Sequence, residues 1–245
     1  MKTAAIIPAR FGSTRFPGKP LALIAGKPLV LRVIERVAKC KNIDFTAVAT
    51  DDKRIFDAVK SFGYEAFMTP KSCKSGTDRI AYVAKKHLKN YGVFLNIQGD
   101  EPLTDRILMD VLARELKNGN AEYITAAFPI YDDETIKNPN AVKVVLDSKG
   151  FALYFSRSPV PYNRSGVKIK YLKHMGIYGY TRDFLLKFSK MRPSVLEKAE
   201  SLEQLRALEA GKKIKVVIAK KDSIGVDVPS DVKKVEALLR KTNAK

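Results

Sequence analysis

Strand-type and helix-type segments alternate through the first half of this chain, and that alternation is the strongest constraint on its fold. Apolar, β-prone segments occupy residues 3–8, 45–50, 65–68, 93–98 and 123–128. Amphipathic segments of helical period separate them, at residues 27–40, 53–62, 77–88 and 104–117. Because parallel strands need a long crossover connection, this order predicts a mostly parallel, doubly wound α/β sheet covered on both faces. Ligands of such sheets bind at the carboxyl ends of the strands.

The second half of the sequence has a less regular pattern. Residues 142–146 and 151–155 flank the turn sequence DSKG and predict a hairpin. Residues 158–170 are punctuated by proline and glycine and predict a loop. Further predicted elements are a strand at 174–180, a helix at 197–210 that starts with a capping box at Ser194 and Glu197, a strand at 214–219 and a helix at 229–240. With no repeat and no linker, we expect one domain over residues 1–245, in which about 130–195 form a small irregular subregion.

The charge of the chain is strongly positive, at +19 from 45 lysines and arginines against 26 aspartates and glutamates. Nucleic acid is the first partner that such a charge indicates. The lysines are dispersed over predicted helix surfaces, however, without a basic tail or an aromatic RNA-binding motif, so we expect no nucleic-acid partner. No apolar run reaches membrane-spanning length and no signal-peptide pattern is present. The two cysteines lack the spacing of metal ligands and do not indicate a disulfide framework. We therefore expect a cytoplasmic protein without membrane insertion.

The sequence ARFGSTRFPGKPL, at residues 9–21, directly follows the first predicted strand. Its glycines let the backbone approach an anion closely, and its cations Arg10, Arg15 and Lys19 add positive charge, with arginine able to bind phosphate oxygens in pairs. It is neither a Walker A loop nor a dinucleotide-binding GxGxxG motif. The alternative is a solvated basic surface loop, which leaves the glycines and prolines unexplained. The segment therefore predicts a phosphate-binding loop.

Several sequence blocks resemble one enzyme family in content and order. They are ARFGSTRFPGKPL, SGTDR at 75–79, NIQGDEP at 96–102, NPNAVKVV at 138–145, ALYFSR at 152–157, HMGIYGY at 174–180, LEQLR at 202–206 and GVD at 225–227. Together they resemble the 3-deoxy-manno-octulosonate cytidylyltransferases. The resemblance implies a nucleotide-sugar transferase type of sheet, and CMP transfer from CTP to 3-deoxy-D-manno-octulosonate (KDO) with Mg²⁺ and release of pyrophosphate, for lipopolysaccharide core synthesis. It also implies a homodimer, with residues 152–180 as the main contributor.

The resemblance also assigns site residues. The residues expected to take part in catalysis are Arg10, Lys19, Asp100 and Asp227. Those expected to bind the nucleotide are Ala9, Arg10, Ser13, Lys19, Thr77, Arg79 and Gln98. Those expected to face the sugar acid are Gln98, Arg157, His174, Tyr178, Glu203 and Gln204. For several of these a structural role is the alternative: His174 as a structural histidine, the SGTDR block as a helix start with Thr77 and Asp78, and Glu203 and Gln204 as an exposed helix face.

Asp100 and Asp227 are the expected magnesium ligands. Each follows an apolar strand-type segment, and Mg²⁺ prefers carboxylates and water to histidine or cysteine. The alternatives are that Asp100 caps the helix near Thr104 and that Asp227 caps the last helix. Glu101 is interpreted as a supporting group rather than a ligand.

Two other functions remain open at this point. One is a cytidylyltransferase for another 2-keto sugar acid, 8-amino-octulosonate or sialic acid, with the same loop and aspartates but different sugar-side residues. The other is a non-catalytic basic binding protein. The aspartates Asp100 and Asp227 argue against it, because a polyanion binder gains nothing from inward-facing carboxylates.

Overall fold

The structure, a computed structural model, describes residues 1–12 and 15–243. The strands are β1 Lys2–Ala9, β2 Leu23–Ile24, β3 Lys27–Pro28, β4 Phe45–Thr50, β5 Glu65–Met68, β6 Tyr91–Asn96, β7 Tyr123–Ile130, β8 Lys143–Leu146, β9 Ala152–Ser156, β10 Tyr171–Thr181 and β11 Lys215–Ile218. The helices are α1 Leu29–Val37, α2 Lys53–Ser61, α3 Gly76–Lys86, α4 Arg106–Lys117, α5 Asp133–Lys137, α6 Arg182–Phe188, α7 Val195–Glu200, α8 Leu205–Glu209 and α9 Asp231–Asn243. A 3-10 turn covers Lys19–Leu21.

The main sheet has the strand order β11-β7-β10-β6-β1-β4-β5, with the β8–β9 hairpin attached to β10. β1 pairs in parallel with β4 and β6, β4 with β5, and β11 with β7. Only β10 among the central strands runs the other way, and it lies antiparallel to both β6 and β7. The prediction of a mostly parallel α/β sheet is therefore confirmed, and so is the predicted hairpin of β8 and β9.

Helices cover both faces of the sheet, and each face has its own apolar core. Alternate residues of β1 face opposite sides: Ala5 and Ile7 pack into the core formed with α1, α2 and α4, whereas Ala4 and Ile6 pack into the core formed with α3, α6 and α8. A strand buried on both faces is the expected environment for the unbroken apolar sequence of β1.

A glycine allows β10 to fit into the middle of the sheet. A Cβ atom on Gly179 would lie 2.6 Å from Leu116 Cδ1 and 2.8 Å from Leu95 Cδ2, closer than side chains pack. The pairing of β10 with β7 also shifts register between Met175 and Tyr178. This irregular part of β10 lies beside the end of β6, where the predicted site residues gather.

Several predicted boundaries differ from the structure, and the following three differ most in kind. The predicted helix at 197–210 is two short helices, α7 and α8, because Ser201 adopts a left-handed conformation with φ of 52° and ends α7. The helix predicted at 27–40 begins only at Leu29. Pro28 pairs with Leu23 in the two-stranded β2–β3 sheet and is the N-cap residue of α1. The strand predicted at 93–98 ends at Asn96, which places Gln98 in the loop that follows.

Candidate active site

The carboxyl ends of β1 and β6 lie side by side, and the segments that follow them meet the segment before α9, which brings four charged groups together. The Lys19 ammonium lies 2.6 Å from Asp100 Oδ2 and 3.6 Å from Asp227 Oδ1. Arg15 Nη2 lies 3.3 Å from the same Asp227 oxygen. The Lys19 side chain is only 15% exposed, so this ammonium is largely shielded from water. Two carboxylates distant in sequence thus meet at one cation.

Glycines and backbone hydrogen bonds hold these segments in place. Gly18 has a φ of 70°, and its N–H donates to the Phe11 carbonyl at 2.9 Å, which closes the predicted phosphate-binding loop. A Cβ atom on Gly99 would lie 3.1 Å from the Pro8 carbonyl oxygen, so glycine lets the loop after β6 pack on the end of β1. The Val226 N–H donates to the Asp100 carbonyl at 2.9 Å and fixes the segment that carries Asp227.

Neither aspartate caps a helix, so both capping alternatives are wrong. Asp105 caps α4 by accepting from the Ile107 N–H at 3.1 Å. At the start of α9 it is Asp231 that accepts hydrogen bonds, from the N–H groups of Asp227 at 3.0 Å and Val228 at 3.1 Å. These backbone donors hold the pKa of Asp231 below its ordinary value. The carboxylates of Asp100 and Asp227 therefore point toward Lys19.

Two cavities meet at Asp100. The larger, about 430 Å³, is lined mainly by polar residues from β10, the loop after β6 and the segment before α9. The smaller, about 80 Å³, is lined by Ala9, Arg10, Lys19 and the start of the loop after β6. Gln98 and Asp100 line both cavities. This arrangement places the smaller cavity, at the end of β1, and the larger polar cavity on either side of one carboxylate.

His174 and Tyr178 line the larger cavity from β10, and Gln98 lines it from the loop after β6. Gln98 Nε2 donates to the Gly176 carbonyl at 2.7 Å. His174 Nε2 lies 3.0 Å from the Thr125 hydroxyl, and burial lowers the pKa of His174 to about 3. His174 is therefore neutral near pH 7, and it can offer a ligand a hydrogen bond but not a positive charge.

The cation of the larger cavity is Lys173, which the sequence analysis missed. Its ammonium lies 2.5 Å from Asp222 Oδ2, and both residues line the cavity. Asn140 and Ser223 also line it. The signal for Lys173 is its position immediately before the HMGIYGY block, at a strand position that faces the cavity beside His174.

Glu203 and Gln204 lie between α7 and α8, and they face inward. The Thr77 hydroxyl donates to Glu203 Oε2, and burial raises the pKa of Glu203. Gln204 is 2% exposed, so the alternative of an exposed helix face is wrong for it. The Tyr178 hydroxyl lies 3.4 Å from Gln204 Oε1, while Gln204 Nε2 is buried without a hydrogen-bond partner in the described residues. The Nε2 group of Gln204 is thus a buried, unsatisfied donor, and Gln204 itself does not line the larger cavity.

Two predicted substrate-facing arginines do not line either cavity. Arg79 is 1% exposed, lies 2.7 Å from Asp51 Oδ2 and donates to the Thr69 hydroxyl. Arg157 donates from Nε to the Glu200 carbonyl at 2.6 Å and from Nη1 to the Pro139 carbonyl at 2.9 Å. Both guanidinium groups are thus bound by protein atoms.

The remaining assigned residues have these positions. Arg10 donates from Nη2 to the Cys73 carbonyl at 2.8 Å and lines the smaller cavity. Ser75, with Asp78, forms a capping box, so α3 begins at Gly76 and not at Thr77. Ser13 lies outside the described residues. Glu101 is held by the hydroxyl of Ser223 at 2.6 Å, and burial raises the pKa of its carboxyl group.

The donor set of Asp100 and Asp227 fits magnesium. Among residues 1–12 and 15–243, no group of three or more histidine, cysteine, aspartate or glutamate side chains is placed to hold a metal ion. Mg²⁺, however, is commonly bound by one or two carboxylates, with water and substrate phosphates as its other ligands. The Lys19 ammonium already lies between the two carboxylates, which shows that a cation is accommodated there.

Acidification should reveal the neutral state of His174. An unfolded histidine binds a proton below about pH 6.5, whereas folded His174 does so only near pH 3, so stability is lost as the pH falls through that interval. Between pH 7 and pH 5 we expect the free energy of unfolding to drop by about 2 kcal/mol from this residue alone. Urea unfolding of wild type and His174→Gln at both pH values measures the difference.

His87→Gln is the matched control, because His87 is the other of the two histidines in the chain. We expect the control to keep the pH dependence of wild type and His174→Gln to lose most of it. An equal drop in all three proteins would contradict the burial of neutral His174.

Comparisons with known proteins agree with this geometry. A family model described as cytidylyltransferase matches residues 4–214. The 3-deoxy-manno-octulosonate cytidylyltransferase of Desulfosudis oleivorans is 49% identical over 242 residues, covering 98% of each chain, and that of Fusobacterium nucleatum is 46% identical over the full length of both. A solved structure of a CMP:2-keto-3-deoxy-manno-octonic acid synthetase complexed with CTP has a TM-score of 0.93 and 41% identity, covering 99% of this chain and 100% of the other. On these findings, the chain belongs to the 3-deoxy-manno-octulosonate cytidylyltransferase family.

Proposed function

We propose that this nucleotidyltransferase transfers CMP from CTP to the anomeric hydroxyl of KDO, with release of pyrophosphate, to supply lipopolysaccharide core synthesis. The observation that carries the proposal is the position of Asp100, which lies between a phosphate-binding loop and a larger polar cavity and is bridged to Asp227 by Lys19. A nucleotide on one side and a sugar acid on the other would place the attacking hydroxyl near the α-phosphorus at this point.

The loop after β1 is the proposed binding site of the triphosphate. Arg10 and Lys19 line the smaller cavity and bring two positive charges to it, and Gly18 and Gly99 keep the surrounding backbone close. Phosphoryl transfer leaves little covalent work for the protein, so positioning and charge neutralisation dominate the rate. Lys19, being shielded from water, would act most strongly on charge that develops at the leaving pyrophosphate.

Asp100 and Asp227 are the proposed magnesium ligands. Bound there, Mg²⁺ would neutralise triphosphate charge and orient the phosphate oxygens. The two carboxylates would share the ion with the phosphates, and Lys19 would move from the carboxylates toward the nucleotide. Glu101 keeps its hydrogen bonds from Ser223 and Thr104 in this scheme and supports the loop.

The larger cavity is the proposed binding site of the sugar acid. Its volume of about 430 Å³ lies in the range of small-ligand sites, and its lining is rich in hydrogen-bonding groups, as a polyhydroxylated acid requires. Lys173 would bind the carboxylate of the sugar acid by moving away from Asp222, its ion-pair partner at 2.5 Å, since His174 is neutral. Gln98, His174 and Tyr178, which line the cavity, supply hydrogen bonds to hydroxyl groups.

We also propose that the enzyme is a homodimer in the cytoplasm, where CTP is available. The support for the dimer is a set of exposed apolar side chains in the region of residues 152–180: Leu153 is 62% exposed, Tyr162 87% and Val167 59%. In the described part of the chain, no helix combines the length and the apolar character needed to cross a bilayer.

The test of the proposed function is pyrophosphate release with CTP, Mg²⁺ and a panel of 2-keto sugar acids. We expect the largest kcat/KM for KDO, because the sugar-side residues differ among enzymes that share the nucleotide half, and pockets that hydrogen-bond particular hydroxyls reject analogues that lack them. A clear preference for sialic acid or for 8-amino-octulosonate would overturn the choice of sugar and leave cytidylyl transfer intact. No release with any acid would overturn the proposal.

Arg54 is expected to position the phosphate-binding loop. Its guanidinium carbon lies 3.3 Å from the centre of the Phe11 ring, and the group is fixed by two hydrogen bonds to Asp52 at 2.9 and 2.6 Å. Arg54→Ala should raise the KM for CTP roughly threefold and leave kcat almost unchanged, because the contact orders the loop without touching the reacting atoms. Steady-state kinetics at saturating KDO measure both constants.

Arg114→Ala is the control, since Arg114 is an exposed arginine on α4 away from the loop. Arg54→Lys should recover part of the CTP affinity by restoring a cation over the ring. If Arg54→Ala bound CTP as wild type does, the stacked pair would have no influence on the loop.

A further inference from the structure

A second cleft, outside the active site, is lined by four cations. It has a volume of about 250 Å³ and lies between α1, the start of α4 and α9. Its lining includes Arg32, Arg36, Lys39 and Arg106, with apolar surface from Pro102 and Leu239. Arg32 and Arg36 share one face of α1, because residues four apart in a helix lie one above the other.

Backbone carbonyls hold two of these arginines in fixed positions. Arg32 donates from Nε to the Ile24 carbonyl at 3.0 Å and from Nη2 to the Ala25 carbonyl at 2.7 Å. Arg36 donates from Nε to the Thr104 carbonyl. Among the side chains that the structure describes, in residues 1–12 and 15–240, the Nη groups of Arg36 and the side chains of Arg106 and Lys39 have no hydrogen-bond or ion-pair partner. The cleft therefore presents the unpaired Nη groups of one oriented arginine, Arg36, beside the exposed cations Arg106 and Lys39.

With no anion bound, the positive charges around the cleft repel one another, and nearby carboxylates compensate them only in part. Burial, and the positive charge of Arg106, lower the pKa of Arg36. Arg106 is the first residue of α4, where the helix dipole already contributes positive charge. Glu35 also lines the cleft, but its carboxylate is bonded to Lys27 Nζ at 2.5 Å. Asp105 offsets the charge of Arg36 only in part, since its carboxylate is engaged as the cap of α4.

We infer that this cleft is a second anion site, built for a phosphate group that is either free phosphate or part of a phosphate monoester. Forked guanidinium donors match phosphate oxygens, and the apolar surface of Pro102 and Leu239 would accept the carbon part of an ester. The loop at 97–105 lines both sites: Asp100 and Glu101 face the active-site cavity, and Pro102 faces this cleft. A bound phosphate would therefore contact the loop that carries Asp100.

The test is a calorimetric titration of the protein with inorganic phosphate. It is done first without CTP and then with CTP and Mg²⁺ present. The sugar acid is omitted in both titrations, so that no turnover occurs. Wild type should bind phosphate saturably with CTP present. Arg106→Gln should weaken that binding about tenfold or more, because a charged hydrogen-bonding partner is lost. A parallel titration with glycerol 3-phosphate distinguishes the two sources: tighter binding than phosphate identifies a monoester, and weaker binding identifies free phosphate.

Arg114→Gln is the matched control, because it makes the same charge change on an exposed position of the same helix. The control should bind phosphate like wild type, and Arg106→Lys should retain part of the affinity. The site is overturned if wild type shows no saturable phosphate binding, or if Arg106→Gln binds as tightly as Arg114→Gln. The difference in phosphate affinity between Arg106→Gln and Arg114→Gln can be measured with or without CTP in the active site. A failure of the proposed function would instead be seen in the assay of pyrophosphate release.

Discussion

Asp100→Asn and Asp227→Asn should each lower kcat by about a thousandfold or more while the protein stays folded. Both carboxylates converge on the Lys19 ammonium, at 2.6 and 3.6 Å, and face the proposed triphosphate site. Asparagine keeps the size of the side chain but removes the charge, and loss of a metal ligand forfeits several kcal/mol of transition-state stabilisation. Pyrophosphate release over a magnesium titration, with the melting temperature measured alongside, gives the result.

Asp57→Asn is the control for this pair of variants, because Asp57 is exposed on α2 and, among the residues that the structure describes, its carboxylate is bonded to Lys53 alone. We expect it to turn over at the wild-type rate. Near-normal activity of both active-site variants across the magnesium titration would contradict the assignment of the two aspartates as ligands.

Lys19→Ala should weaken the binding of CTP about thirtyfold, with a smaller effect on the half-saturating concentration of the sugar acid. The Lys19 ammonium lines the smaller cavity, and its side chain is mostly shielded from water, where a charged hydrogen bond contributes more than at the surface. Its loss also removes the ammonium that lies 2.6 Å from the Asp100 carboxylate, whereas Asp227 keeps Arg15 as a partner at 3.3 Å. Calorimetry with CTP and Mg²⁺ measures the affinity.

Lys53→Ala is the matched control, since Lys53 is an 80% exposed lysine on α2. It should bind CTP as wild type does. Equal CTP affinity of Lys19→Ala and wild type would show that Lys19 serves only to separate the two aspartates.

The fold could be predicted from the sequence where the residues of an element and its immediate neighbours determine its ends. The strands at 45–50 and 65–68 have the predicted ends, because polar and glycine-containing segments bound their apolar residues. The helix at 197–210 could not be predicted as a pair of helices. Its break lies at Ser201, and beyond it Glu203 accepts a hydrogen bond from the Thr77 hydroxyl. Thr77 is 126 residues away along the chain, and a partner at that distance leaves no periodic signal.

The candidate site could also be predicted only in part. The phosphate-binding loop and the two aspartates follow from the rule that ligands bind at strand ends, and the structure brings Lys19 within reach of both aspartates. Lys173 could not be found this way, because its partner Asp222 belongs to a distant irregular segment. The substrate contacts assigned to Arg79 and Arg157 remain predictions, and the structure places both guanidinium groups on protein atoms.

The antiparallel strand β10 has a consequence for how the chain folds as it is synthesised. The chain makes β6 and β7 one after the other, yet they are not neighbours, and the place between them stays empty until residues 171–181 emerge. Until then each of the two strands has an unpaired edge, which is the kind of surface that joins strands of other molecules. Arrival of β10 fills both edges at once and makes the two parts of the sheet continuous. The edges of β6 and β7 that flank β10 are therefore exposed until residues 171–181 leave the ribosome, and the other edge of β7 stays unpaired until β11 follows.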